Sequence, residues 1–215
     1  MTIQMRYSPG EEIANSLTHG IGILLSIGGL GVLTAFASVF GSARHIVGVS
    51  IFGFTMVLLY TSSTLYHSIP IPRVKSILRL IDHSAIFLLI AGTYTPFTLI
   101  TLQGPWGWTL FGIVWAVAAA GIIFQTNLIL RYPIISVVLY ILMGWVVIVA
   151  IKPLTERIAP GGLALLFGGG MSYTFGVLFY AWRKLPYHHA IWHLFVLAGS
   201  VLHYFAILLY VIPRA

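Results

Sequence analysis

The chain has 215 residues, 59% of them hydrophobic and 7% charged, with a formal net charge of +7 and no cysteine. Water-soluble domains carry about 25% charged residues, so this composition excludes a soluble globular protein, and the absent thiols exclude disulfides, thiol redox chemistry and thiolate metal sites. Basic charge on so apolar a chain fits loops facing an anionic leaflet, not a nucleic-acid partner.

Residues 1–15 read as a short cytoplasmic amino-terminal segment and residues 16–215 as one membrane domain. Ser8-Pro9-Gly10-Glu11 predicts a helix start, with Ser8 as N-cap, Pro9 in the first turn and Glu11 closing a capping box. Glu12, Asn15 and His19 follow at spacings that place them on one helical face. Apolar sequence then runs from about residue 21 to 40. Ala35-Phe36-Ala37 has the form of a signal cleavage site, but the long apolar stretch before it and the acidic amino end argue against one. Further spans are expected at 46–67, 83–102, 106–125, 133–151, 161–182 and 189–212, each about 20 residues and so long enough to cross a bilayer. The connections between spans fall at 41–45, 68–81, 103–105, 126–132, 152–160 and 183–188. Apolar runs of this length indicate helices, not a barrel. Pro96 is expected to kink or weaken the end of the third span. Gly168-Gly169-Gly170 in the sixth lets a neighbouring helix approach closely. The expected fold is all-α, a polytopic membrane protein with seven transmembrane helices in one bundle.

An odd number of spans puts the termini on opposite sides. The amino-terminal side collects Arg6, Arg73, Lys75, Arg79, Arg131, Arg183 and Lys184, against Arg44, Lys152, Arg157 and Arg214 on the other. This excess favours a cytoplasmic amino terminus in the cell (inner) membrane. The same topology brings four helix ends to one leaflet: Glu12, Asn15 and His19 from the first span, Ser63 and His67 from the second, Asp82 and His83 from the third, and His189 and His193 from the seventh. Ionisable groups inside a membrane are costly and mark function. His189 and His193 lie one turn apart on one face, and two neutral imidazoles so spaced can grip one metal ion. With His67 they offer three nitrogen ligands, which suit one Zn2+ whose fourth position is left to water. Asp82 is the candidate base, or it orients a ligand imidazole, and Ser63 is the candidate hydrogen-bond donor to a developing oxyanion. Such a site would hydrolyse an amide or ester in a lipid.

Plainer readings stand beside these. A histidine at a membrane interface often does no more than anchor, the reading for His45, His83 and His188. Asp82 can instead pair with Arg79 or cap the third helix, and the Glu12, Asn15 and His19 face also fits an interfacial helix end. His203 lies about 15 Å deeper than His193, too far to share a metal, and belongs to a cavity or an interhelical hydrogen bond. Trp106, Trp108, Trp182 and Trp192 fit an aromatic belt.

Glu12-x-x-Asn15-x-x-x-His19, Ser63-x-x-x-His67, Leu80-Ile81-Asp82-His83-Ser84 and His189-x-x-x-His193, in this order, resemble the bacterial hemolysin III family, which is similar to the progestin and adipoQ receptors, including the adiponectin receptors. Thr93-Tyr94-Thr95-Pro96-Phe97 and Gly199-Ser200-x-x-His203-Tyr204 also look like family features. The resemblance implies a seven-helix fold and a zinc near the cytoplasmic side held at positions matching His67, His189 and His193, with Asp82 close to the zinc-bound water and Ser63 near the metal. It reaches alkaline ceramidases in the wider superfamily, so a zinc-dependent, ceramidase-like amidase acting in membrane lipid homeostasis is one expected function, with membrane lipids as partners. The family name implies a second, a cytolytic or channel-forming protein. A third is a non-enzymatic membrane regulator with a structural zinc.

Overall fold

The computed structural model describes residues 7–124 and 133–212, and the expected 126–132 connection lies outside them. Among the described residues, seven helical segments are long and apolar enough to cross a membrane. Lipid offers little hydrophobic force to bring such helices together, so close packing and interhelical hydrogen bonds must do it.

Helix α1 (Pro9–Phe40) starts with the expected capping box: the Glu11 N–H donates to Ser8 Oγ over 3.3 Å, and the Ser8 N–H donates to Glu11 Oε2 over 2.9 Å. Residues 9–15 are therefore the opening turns of a helix. Helix α2 (Ala43–Ser68) is capped by His45, whose Nδ1 lies 3.0 Å from the Ser42 N–H. Gly22 of α1 lies against the face of the Tyr60 ring, which has no room for a Cβ there. Phe52, Met56, Leu59 and Tyr60 of α2 fill the centre of the bundle.

Helix α3 (Pro72–Pro96) begins nine residues before the end of the expected 68–81 connection. Pro72 supplies the preset first-turn geometry, and the arginines and lysine that follow are good helix formers. Those charges mark a membrane boundary, not a helix boundary. Pro96 does not end the segment. A π-helical stretch, Phe97–Leu102, carries it on and closes with the Gln103 N–H donating to the Thr98 carbonyl over 3.2 Å. Gln103 (φ 48°) and Gly104 (φ 55°) then reverse the chain.

Helix α4 (Gly104–Phe124) leads to α5 (Pro133–Gly144), which breaks at Trp145 into a 3-10 turn, Val146–Ala150, and a short helix α6 (Ile151–Thr155). The fifth span was expected to be continuous over 133–151. Tyr94 of α3 stabilises the break: its hydroxyl donates to the Gly144 carbonyl over 2.7 Å and accepts from the Val147 N–H over 2.8 Å. Backbone groups freed inside a membrane need such partners. Helices α7 (Pro160–Ala181) and α8 (His188–Tyr210) form a close antiparallel pair. Here the glycine run acts as expected. Gly169 abuts the His203 ring, and a Cβ on Gly199 would sit 2.9 Å from the Tyr173 ring.

Candidate metal centre

The amino-terminal end of α1, the carboxyl-terminal end of α2 and the amino-terminal ends of α3 and α8 meet at one end of the bundle. Glu12, Asn15, His19, Ser63, His67, Asp82, His189 and His193 are all buried there. His67, His189 and His193 come together as the sequence suggested, with one ring nitrogen from each lying within 4.8 Å of the others. The α-helical repeat puts His189 and His193 on one face, their ring centroids 4.5 Å apart, and α2 brings His67 to within 5.1 Å and 5.3 Å of them.

The remaining nitrogens show whether this cluster suits a metal. His67 Nδ1 lies 2.6 Å from Glu12 Oε2, while His67 Nε2 is buried without a hydrogen-bond partner. His193 Nδ1 faces the Thr18 hydroxyl at 3.1 Å and the Asn15 carbonyl at 3.2 Å. His189 Nδ1 is also buried and unpartnered, its ring stacked on Tyr7 with centroids 5.0 Å apart. Unpaired polar atoms this deep are costly. Three imidazoles with one nitrogen each within reach of a common point, two of them with orphaned nitrogens, fit a divalent cation that takes nitrogen ligands.

Glu12 is held in turn by Lys75, whose ammonium lies 2.9 Å from Glu12 Oε1 and donates to the Tyr66 carbonyl over 2.7 Å. Asn15 Nδ2 lies 3.3 Å from His67 Nδ1. His19 stacks on His193, centroids 3.5 Å apart, with both of its nitrogens unpartnered. Ser63 and Asp82 line a cavity of about 140 Å3 whose wall also includes His189 and His193. Among the described residues Ser63 Oγ has no hydrogen-bond partner, and Asp82 Oδ2 lies 3.4 Å from His83 Nδ1. No ion pair joins Asp82 to Arg79 among the described residues. The cavity runs between α3, α5, α7 and α8 to His203. That histidine stands apart from the three-nitrogen cluster, with Nε2 2.9 Å from the Leu166 carbonyl oxygen. His188 is buried, its Nδ1 3.2 Å from the Phe179 carbonyl oxygen.

Lys75, Tyr7 and Thr18 were missed from the sequence. Lys75 had a signal, since it precedes Asp82 by seven residues and so shares its face once α3 starts at Pro72. Thr18 had one as well, three residues after Asn15 on the polar face of α1. Tyr7 precedes the helix, where periodicity says nothing.

Seven spanning helices around a buried three-histidine cluster define a multi-pass membrane protein with a candidate metal centre. The chain belongs to the Haemolysin-III related family, whose model matches residues 7–204. It is 53% identical to Hemolysin-3 of Bacillus cereus over 205 residues, covering 95% of this chain and 94% of that one. It is also 53% identical to the Hemolysin-3 homolog of Bacillus subtilis (strain 168) over 200 residues, 93% of this chain and 94% of the other. Over 210 residues it is 28% identical to the monocyte to macrophage differentiation factor of Homo sapiens, a progestin and adipoQ receptor family protein, covering 94% of this chain and 86% of that one.

Proposed function

We propose that His67, His189 and His193 hold one zinc ion and that the protein hydrolyses an amide or ester bond in a membrane lipid. The observation that carries this reading is the convergence of three buried ring nitrogens beside a cavity that also takes in an aspartate and a serine. When bound, zinc supplies Lewis-acid polarisation of a carbonyl and lowers the pKa of water to about 7. Asp82, with Oδ2 against His83, keeps Oδ1 to take a proton and pass it to the leaving amine or alcohol. Ser63 Oγ, without a hydrogen-bond partner among the described residues, donates to the oxygen that gains charge. Leu59, Ile86, Leu89 and Ile90 on the cavity wall exclude bulk water and accept an acyl chain. The excess of Lys and Arg on the amino-terminal side supports a cytoplasmic amino terminus in the inner membrane, with the metal on that side.

Metal analysis of the purified protein tests the first half of this reading, and turnover across a panel of lipid amides and esters tests the second. One equivalent of zinc with product release supports it. Zinc without turnover on any lipid favours instead a structural ion in a non-enzymatic membrane protein. The name shared by the two Bacillus relatives favours a cytolytic or channel-forming reading. That reading requires ion flux through liposomes that survives loss of the histidines, whereas among the described residues the buried Asp, Glu and Lys side chains all lie at one end of the bundle.

A further inference from the structure

Resting on the metal reading above, we infer that Glu12, clamped by Lys75, is the positioning residue that fixes how His67 meets the ion. The geometry resolves the imidazole's tautomer. At His67 Nδ1 the Glu12 carboxylate approaches to 2.6 Å, whereas the Asn15 amide stands off at 3.3 Å. A charge-assisted bond of that length is the stronger by about a factor of two, so Nδ1 carries the proton and donates it to Glu12. Nε2 is then the bare nitrogen, and it is the one left buried without a partner. A carboxylate behind a ligating histidine both orients the ring and makes it a better donor.

Lys75 makes the arrangement durable. An unpaired carboxylate at this depth would turn to water or take up a proton. Instead, Glu12 uses Oε2 for His67 and Oε1 for Lys75 at 2.9 Å. The lysine is fixed by the Tyr66 carbonyl at 2.7 Å and lies 4.7 Å from the centre of the Tyr66 ring. Tyr66 immediately precedes His67 on α2, so a single ammonium ties the start of α3 to the ligand-bearing turn of α2 and to the acid on α1. Helix α1 provides none of the three ligating histidines. Through Glu12 it sets the donor atom of one of them.

The test is metal affinity, measured by chelator competition on purified wild type, E12A, E12Q, K75M and H67A, with the visible spectrum of the cobalt-substituted protein as a second readout. Second-shell loss of this kind weakens binding by about 10–100-fold, and that is expected for E12A, together with shifted cobalt bands. E12Q keeps an oxygen that can accept from Nδ1–H and should lose less. K75M leaves the carboxylate but frees it, and should fall between wild type and E12A. E12Q and K75M keep the question answerable if E12A does not fold. Wild-type affinity and cobalt spectra in folded E12A, E12Q and K75M, beside an H67A protein that has lost its metal, overturn this inference alone. A wild type that binds no metal overturns the metal reading, and this inference with it.

Discussion

The two ends of the bundle carry the same kinds of side chain and treat them in opposite ways. At one end Glu12, Lys75, Asp82 and three histidines are buried, and Glu12 bridges Lys75 to His67. At the other, Arg44, Lys152, Glu156 and Arg157 are exposed, and His45 only caps its own helix. Charges at a membrane surface can remain hydrated at little cost, whereas burying them demands partners. The contrast sets buried, mutually partnered charges at the first end against exposed ones at the second, and it can be attacked from either side.

The largest effect is expected from His193→Ala. Two imidazoles cannot replace a three-nitrogen set, so bound metal should fall from one equivalent to near zero by elemental analysis, and any turnover with it. Retention of a full equivalent would remove the reason for treating the two ends differently. Asp82→Ala separates binding from chemistry. Loss of a general acid–base group costs about 10²–10⁴-fold in rate, so product formation should drop by that order while metal content stays at wild type. Equal turnover in the variant would move the base elsewhere.

How much of this end was legible beforehand depends on how each residue is connected. His189 and His193 are one turn apart on one helix, and the Glu12, Asn15 and His19 face follows the same period, so local spacing carried both. His67 was reached by topology, because counting spans brought the end of the second and the start of the seventh to one leaflet. Lys75 escaped because its charged neighbours made residues 73–79 look like a loop, and its partner Glu12 lies on a different helix. No helical period encodes that pairing. The break in the fifth span was hidden for a related reason. Residues 145–151 are apolar throughout, and what permits the break is a tyrosine hydroxyl from α3. Likewise the cavity that joins Asp82 to His203 is a property of how α3, α5, α7 and α8 leave space, which hydropathy does not report.

Packing between the two ends offers a smaller effect. Gly169→Ala places a methyl against the His203 ring, which is pinned by the Leu166 carbonyl and cannot swing freely. Overpacking of this kind costs about 1–3 kcal/mol, read as a Tm in detergent lower by on the order of 5 °C. Metal content should be unchanged, since His203 is not among the three clustered histidines. A variant that loses its ion would show that the mid-membrane crossing of α7 and α8 governs the site, and the ends would then not be independent.

The smallest effect should come from the exposed end, and its smallness is the informative part. Lys152 has the same side chain as Lys75 and sits on a short helix instead of at the head of a long one, open to solvent. Its ammonium keeps its hydration in the folded protein, so truncating it to alanine strands no carboxylate and opens no cavity. Glu156, also exposed, is in the same position. The double variant K152A/E156A should therefore shift stability by no more than about 0.5 kcal/mol, with metal affinity and turnover at wild-type values. Lys75→Met, by contrast, leaves a buried carboxylate with one partner where it had two. If the two lysine substitutions proved equally harmless, desolvation could not be what separates the ends, and the burial of Glu12 would need a different explanation.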